Sequence, residues 1–402
     1  MTSSARAVHS FEEVHRPMRA RAVDEAHRAA TPLELFFDLT FVVAVAQAAS
    51  GLAHAIEAGH ALTAIGPFLM VFFAIWWAWM NFTWFASAYD SDDVPYRIAA
   101  FVQMAGVLVL AAGVGPAFDH GDYTAVTVGY VIMRLGLLSL WLRAAHQHPS
   151  SRRSSLRYAT GMAALEMLWV ARLALPERAA TTSFLVLAVM ELSVPIWAER
   201  RGATTWHPHH IAERYGLFTL IILGESVFAA TNAVAAVIED SAGVDLAVIS
   251  FAGLLIIAAV WWLYFLVPAG SGLEERRRWA FVWGYGHYLV YAALAALGAG
   301  LEVVVAATIG HWSHLDSTVV VASVSGPLAL IVVMLGALHV PLLGLPPWRP
   351  ASIVAVVGLV TITAVADILG STVSVALVAV VICALVTADL TSVRAGARRV
   401  SS

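Results

Sequence analysis

Long apolar runs, separated by short polar or turn-forming segments, occupy the chain from residue 32 to residue 391. Most of them approach 20 residues, the length at which an α-helix crosses about 30 Å of hydrocarbon. The pattern predicts an all-α integral membrane protein with about twelve transmembrane helices. The predicted spans are 32–54, 62–87, 95–118, 122–145, 155–173, 181–199, 211–237, 245–267, 278–304, 317–340, 351–369 and 372–391.

Composition supports a membrane location and excludes several kinds of site. The 402 residues are 60% hydrophobic and 12% charged, whereas soluble domains carry about 25% charged residues. Residues 1–31 lack the apolar core of a cleavable signal peptide. Cys383 is the single cysteine, which excludes an internal disulfide and a cysteine-based metal site, and the absence of lysine excludes a Schiff-base cofactor. We expect no cofactor, no metal and no nucleic-acid partner; the lipid bilayer is the expected partner.

The distribution of arginine predicts the orientation in the membrane. All 23 basic residues are arginines, and with twelve spans all but Arg134, Arg172 and Arg178 fall on the side of the two termini. Because short cytoplasmic loops are enriched in arginine, we expect both termini to be cytoplasmic. The expected location is the inner (plasma) membrane.

An internal repeat is suggested by similar segments that recur in the same order. The matches are Trp76-Trp77 with Trp261-Trp262, "AFVQMAG" (100–106) with "AFVWGYG" (280–286), "HGDYT" (120–124) with "HLDST" (314–318), and Glu34 with Glu213. They predict two parallel six-helix repeats, an arrangement found in many transporters; a duplicated scaffold without transport is the alternative. The predicted domains are an N-terminal tail (1–31), a first repeat (32–199), a linker (200–210), a second repeat (211–391) and a C-terminal tail (392–402).

Two carboxylates lie at the entrance to the first span. Thr31, Pro32 and Glu34 have the spacing of a capping box, with threonine as N-cap and glutamate at the third helical position. His210 and Glu213 open the seventh span in a similar way, so the pattern favours capping over chemistry for these residues. Asp38 lies a full turn deeper, where capping cannot reach, and we expect an arginine from another span or loop to pair with it.

Several ionisable residues fall near the predicted bilayer centre, namely Arg134, Glu166 and Glu191. Such residues are rare in lipid and generally face a bundle interior or a water-filled path. We expect Arg134 to pair with Glu166 or Glu191 and to leave the other carboxylate unpaired, able to carry a proton. The alternative is a buried ion pair that only locks helices together.

The seventh span adds a possible ion pathway. Arg214 and Glu225 lie on nearly the same helical face, about 16 Å apart along the axis, which would place a base at the mouth and an acid at the centre. Gln47 lies at a similar depth in the first span. His287 could join a proton path, although a hydrogen-bonded interior histidine is the alternative.

The segments "TPLELFFDLTFVVAVAQ" (31–47) and "HIAERYGLFTLIILGES" (210–226) resemble the bacterial low temperature requirement A (LtrA) family. The resemblance extends from about residue 31 to residue 391. It implies a polytopic membrane protein connected with growth in the cold, and it implies no particular reaction. The matching positions are Pro32, Glu34, Phe36, Phe37, Asp38, His210, Glu213, Arg214, Gly216, Leu217, Phe218, Gly224 and Glu225.

Other motifs favour structural roles. The histidines of "HPHH" (207–210) could bind a metal, but a loop with His210 as a cap is the preferred interpretation. Trp79 and Trp84 could stack on a ligand, although aromatic residues of this kind are usually interfacial anchors. No catalytic residue is assigned, which favours a protein that is not an enzyme.

The sequence therefore predicts a carrier or an ion-conducting protein for an unknown small solute. The candidates for its pathway are Asp38, Gln47, Arg134, Glu166, Glu191, Arg214, Glu225 and His287. Two alternatives remain: a lipid-modifying membrane enzyme that uses Asp38, Glu225 and His210, and a structural or regulatory protein that supports growth at low temperature. A homo-oligomer is also left open.

Overall fold

The computed structural model describes residues 15–21, 28–200, 202, 204–239, 243–310, 314–343 and 349–400. The fold is 87% helical, and no strand occurs within these ranges. Most of the predicted N-terminal tail, part of the predicted linker and residues 401–402 lie outside them.

The helices follow the predicted apolar runs. In chain order they are α1 (Pro32–Glu57), α2 (Ala61–Tyr89), α3 (Val94–Ala112), α4 (Val114–His120), α5 (Thr124–Gln147), α6 (Arg152–Arg172), α7 (Ala180–Glu199), α8 (Pro208–Glu239), α9 (Val244–Phe265), α10 (Ala269–Glu275), α11 (Ala280–Thr308), α12 (Ser317–Leu343), α13 (Pro350–Ala364), α14 (Ala366–Leu369) and α15 (Ser371–Val400). Every predicted span therefore has a helix at its position.

Nine segments of the described chain are long and apolar enough to cross a bilayer, so the chain has the architecture of a polytopic helical membrane protein. Four helices lie outside this set, namely α6, α8, α13 and the four-residue α14. Helix α6 begins with two arginines, α13 has only 15 residues, and part of α8 has no described side chains. The count of twelve spans stays a prediction.

The chain divides into two compact units. Unit 1 comprises Met1–Gln47 and Leu69–Arg214, and unit 2 comprises Ala48–Phe68 and Tyr215–Ser402. Helices α1, α2 and α8 each contribute residues to both units, because their lengths span the boundaries. The predicted domain limits differ in detail from these units and stay a prediction.

Neighbouring helices pack in sequence order inside each unit. In unit 1, α3 packs on α5, α5 on α6, and α6 on α7. In unit 2, α11 packs on α12, α12 on α13, α13 on α15, and α9 on α15.

The polar segment before α1 covers the last turn of α2. Arg28 donates hydrogen bonds of 2.7 Å to the carbonyl oxygens of Ser87 and Ala86, and the backbone N–H of Arg21 donates to the carbonyl of Ala88. The last carbonyls of a helix lack intrahelical partners and carry partial negative charge, so a cation is favourable there. This contact brings Arg28 to the first turn of α1.

Candidate functional site

The first turn of α1 forms the predicted capping box. The backbone N–H of Thr31 donates to Glu34 Oε2 at 2.8 Å, and the backbone N–H of Glu34 donates to Thr31 Oγ1 at 3.3 Å. Helix α1 begins at Pro32 as expected. Glu34 therefore has a local structural role, and its second oxygen is available for other contacts.

Asp38 pairs with Arg214, which confirms the expectation of an arginine from another span. Arg214 Nε donates to Asp38 Oδ2 at 2.9 Å and Arg214 Nη2 donates to Oδ1 at 2.5 Å. Trp79 Nε1 donates to Asp38 Oδ1 at 2.7 Å. Because Trp79 is fully buried, its interpretation as an interfacial anchor is wrong.

Arg214 also contacts Glu34, with Nη1 lying 3.0 Å from Oε1, and the side chains of Arg214, Glu34 and Asp38 are all 0% exposed. The predicted role of Arg214 as a base at the mouth of a pathway is therefore wrong, because the guanidinium is enclosed between two carboxylates. We call Arg28, Glu34, Asp38, His210 and Arg214 the Arg214 cluster.

The start of α8 differs from the prediction. The helix begins at Pro208, and His207 is its cap, since the backbone N–H of His210 donates to His207 Nδ1 at 3.3 Å. His210 is thus inside the first turn, and its Nε2 lies 3.2 Å from Glu34 Oε2. Glu213 is exposed and too far along the helix to cap it. A polar residue followed by proline, as in His207-Pro208, is the signal that indicates this start.

The charges of the Arg214 cluster are balanced inside a buried region. Two arginines face two carboxylates, with Arg28 Nη2 at 3.6 Å from Glu34 Oε1. Just outside the spans, burial and the charge of Glu34 raise the pKa of Asp90 to about 6, although Arg28 opposes the shift. Removing one partner from such a network leaves an uncompensated buried charge, so the cluster joins α1, α2 and α8 strongly.

A second buried cluster surrounds Arg134 on α5. Arg134 Nη2 lies 2.6 Å from Glu191 Oε2 and 2.5 Å from the hydroxyl of Tyr130, and Arg134 Nε lies 3.3 Å from Glu166 Oε1. The expectation that Arg134 leaves one carboxylate unpaired is wrong, because both carboxylates are within ion-pair distance. We call Tyr130, Arg134, Glu166 and Glu191 the Arg134 cluster.

The two carboxylates of the Arg134 cluster are unequal. Glu191 accepts hydrogen bonds from Trp77 Nε1 (2.8 Å), Trp169 Nε1 (3.1 Å) and the Tyr130 hydroxyl (3.2 Å). Both oxygens of Glu166 are buried, and within the described ranges neither has a hydrogen-bond partner. With one arginine for two acids, the cluster carries an excess negative charge when both are ionised. Sequence reasoning missed the two tryptophans, which come from distant helices, whereas the spacing of four between Tyr130 and Arg134 could have indicated their contact.

A cavity of about 30 Å³ lies beside this cluster, large enough to hold a water-sized group. Half of its lining residues are aromatic, namely Phe73, Tyr123, Tyr130, Trp169 and Phe184. Arg172, the last residue of α6, also lines the cavity. Tyr130 and Trp169 belong to both the cavity wall and the hydrogen bonds around Glu191.

The remaining pathway candidates, Gln47, Glu225 and His287, are not members of these clusters. Gln47 is exposed and Glu225 is half-buried. His287 in unit 2 is buried, with Nδ1 at 2.7 Å from the carbonyl of Trp283 and Nε2 at 3.1 Å from the hydroxyl of Tyr264, which favours the hydrogen-bonded interior histidine. Within the described part of the chain, no group of three or more histidine, cysteine, aspartate or glutamate residues could hold a metal.

Comparisons with known proteins give one family and one relative. A family model described as "Bacterial low temperature requirement A protein (LtrA)" matches residues 29–388. The uncharacterized protein RA0937 of Rhizobium meliloti (strain 1021) is 27% identical over 241 residues, which cover 58% of this chain and 57% of that protein. The similarity thus spans just over half the length of that relative. No solved structure matches the chain.

Proposed function

This chain belongs to the low temperature requirement A family, and we propose that it is a proton-coupled carrier of a small solute in which Glu166 exchanges the proton. The description of the family names a requirement at low temperature and no reaction. Support for the proposal therefore comes from the buried charges of unit 1.

The proposal depends on one observation, which is that the two carboxylates paired with Arg134 have unequal numbers of hydrogen bonds. Glu191 is held by hydrogen bonds from two indoles and a phenol in addition to the arginine. Among the described residues, Glu166 has only the ionic contact with Arg134 Nε. A buried carboxylate without hydrogen bonds gains little from being ionised, so a proton added to the cluster resides on Glu166.

Protonation of Glu166 changes the electrostatics of the cluster without requiring a large movement. The excess negative charge disappears, and Arg134 then balances Glu191 alone. If the affinity for a solute depends on that charge, protonation of Glu166 changes the affinity for the solute, and solute binding changes the affinity for the proton. Such linkage between the two ligands is the requirement for coupled transport. The Arg214 cluster, in contrast, is already balanced and supports a structural role for Asp38 and His210.

The test uses sealed vesicles that contain the purified protein and a pH-sensitive dye. We expect the wild type to move protons inward when certain small solutes are added under an imposed pH gradient. Glu166→Gln should reduce this flux at least about tenfold, which corresponds to ~1.4 kcal/mol. Glu213→Gln is the matched control, because Glu213 is exposed, and its flux should equal that of the wild type.

Two results would contradict the carrier. Solute-dependent flux that survives in Glu166→Gln would remove Glu166 from the proton path. A wild type that moves no proton with any solute, yet converts a lipid in detergent, would favour the membrane enzyme; loss of stability alone in Glu166→Gln would favour a structural role.

We also infer the six-plus-six repeat, and the packing inside each unit supports it. The sequence matches pair α1 with α8, α2 with α9, α3 with α11 and α5 with α12. Chain order then pairs α6 with α13 and α7 with α15. Under this pairing the contacts α3–α5, α5–α6 and α6–α7 of unit 1 correspond to α11–α12, α12–α13 and α13–α15 of unit 2. Contacts between α2 and α7, such as Trp77 with Glu191, correspond to α9 with α15.

A further inference from the structure

We propose that the cavity beside Arg172 binds a small monovalent anion, either a halide or the carboxylate of a small organic acid. This inference rests on the proposed function, since it names the class of solute that would accompany the proton. It depends on a buried arginine, an adjacent cavity and the charge balance of the neighbouring cluster.

Arg172 is a buried cation beside the cavity. It is only 7% exposed, and no carboxylate of the described residues forms an ion pair with it. Its Nη2 donates to the carbonyl of Ala180 at 3.0 Å, whereas its Nε is buried and has no hydrogen-bond partner among the described residues. A buried charge is normally paired or coordinated, so the structure leaves a positive charge and a donor for a ligand.

The aromatic surroundings of Arg172 hold the guanidinium in place without neutralising it. Its Cζ lies 5.4 Å from the ring centre of Tyr123, 5.7 Å from that of Phe184 and 5.9 Å from that of Trp169. Cation–π contacts of this kind attract the cation and leave its formal charge in place. They also fix a side chain that would otherwise turn towards a more polar environment.

The size and lining of the cavity select the ligand. About 30 Å³ accommodates one or two water-sized groups, which suits a single halide or a carboxylate head. Thr127 also lines the cavity, among aromatic and aliphatic side chains. A large polyol acid or a multivalent anion such as sulfate would exceed the space or the single positive charge.

The charges of the two sites link the anion to the proton. Arg134 and Arg172 carry two positive charges, and Glu166 and Glu191 two negative ones, so the region is neutral while both acids are ionised. The groups that face Glu166 are Arg134 and Glu191. A proton on Glu166 gives the region a net positive charge, which favours an anion at Arg172. Trp169 joins the two sites, because its Nε1 donates to Glu191 and its ring contacts Arg172.

The experiment measures anion binding to the full-length protein in detergent, where no gradient exists. Melting temperature is followed against chloride, bromide, formate and acetate, with gluconate holding the ionic strength constant. We expect at least one of these anions to stabilise the wild type relative to gluconate. Chloride and bromide test the halide, and formate and acetate test the carboxylate.

Three variants locate the site. Arg172→Gln should weaken binding of the effective anion at least about tenfold, and Arg178→Gln, an exposed arginine six residues further along, should bind as the wild type does. Thr127→Leu fills the cavity and keeps Arg172, so this variant should also abolish anion binding. It provides a second test of the site if Arg172→Gln does not fold. Lowering the pH should tighten binding in the wild type and leave it unchanged in Glu166→Gln.

Several outcomes would overturn the anion site. The first is that gluconate stabilises the wild type as well as any small anion does. The second is that Arg172→Gln or Thr127→Leu binds the anion as tightly as the wild type. The third is that the pH dependence of binding is the same in Glu166→Gln as in the wild type. If Arg172-dependent binding appears but vesicles show no flux, the site stands and the carrier proposal fails. If Glu166-dependent flux appears without anion binding, the carrier proposal stands and the anion site fails.

Discussion

Arg214, in the seventh predicted span, contacts two carboxylates of the first predicted span. Its guanidinium presents two parallel donors to Asp38 and a further nitrogen to Glu34. The planar, forked guanidinium donates two hydrogen bonds to Asp38 and forms an ion pair with Glu34 at the same time, a geometry that the point charge of lysine does not offer. Removal of three charges from water is unfavourable, and these hydrogen bonds together with that of Trp79 offset it.

Breaking this network should strongly reduce stability. Asp38→Asn leaves Arg214 with Glu34 as its only ionic partner in the cluster, so we expect the free energy of unfolding to fall by about 3–5 kcal/mol. Reversible unfolding in mixed micelles measures the change. Glu213→Gln, an exposed neighbour of Arg214, should change it by no more than about 0.5 kcal/mol. Equal effects of the two variants would contradict a dominant role for the buried pair.

Asp93 provides a pH-dependent contribution at the start of α3. Although burial raises its pKa, hydrogen bonds from Arg143 and from the backbone of Arg16 and Tyr96 outweigh this effect and lower the pKa from 3.8 to about 2. A lowered pKa means that the ionised form stabilises the fold above about pH 4, and that this contribution is lost as the pH falls towards 2.

Acid titration of stability tests this residue. Between about pH 4 and pH 2 we expect the wild type to lose about 1–2 kcal/mol more than Asp93→Asn, after allowance for solvent screening. Asp92→Asn removes the adjacent acid, which is exposed and pairs with Arg97, and should retain the wild-type acid dependence. An identical acid profile for Asp93→Asn and the wild type would exclude Asp93 as the source.

At the scale of elements, the pairing of α3 with α5 depends on small residues at the contact. A Cβ built on Gly106 would lie 2.6 Å from Met133 Cγ and 2.7 Å from the carbonyl oxygen of Gly129. Small residues let membrane helices approach closely and gain van der Waals contact. Helices α11 and α12 use the same device, since a Cβ on Gly300 would overlap the backbone at Ser323.

Alanine at one of these contacts should separate the helices. In Gly129→Ala the new methyl group meets the backbone of Leu110, so we expect stability to fall by about 1–3 kcal/mol. In Gly66→Ala, inside α2, no described atom beyond the two chain neighbours and the adjacent backbone of the same helix lies within 4 Å of the new group. The higher helix propensity of alanine should leave stability equal or up to ~1 kcal/mol greater. A Gly129→Ala protein as stable as Gly66→Ala would contradict close packing of this pair.

At the scale of the molecule, the sequence predicted features that depend on neighbouring residues. Apolar runs located the helices, the capping box of Glu34 follows from a spacing of three, and the segments 31–47 and 210–226 indicated the family that the match over residues 29–388 confirms. Contacts between distant helices could not be read in this way. Arg214 could be matched to Asp38 only in space. The arginine count placed Arg172 on the side opposite the termini but could not indicate its aromatic neighbours at the end of α6.

The separation between Asp38 and Arg214 also has a consequence for biosynthesis. The two residues are 176 positions apart. At a synthesis rate of about 5–20 residues per second, Asp38 is synthesised roughly 10–35 s before Arg214. Trp79 emerges much earlier, 41 positions after Asp38, and can hold the carboxylate during this interval. A nascent chain released before residue 214 would retain two acids in its first membrane segment without their principal partner. The predicted first repeat (32–199) therefore does not contain Arg214, the basic partner of its own Asp38.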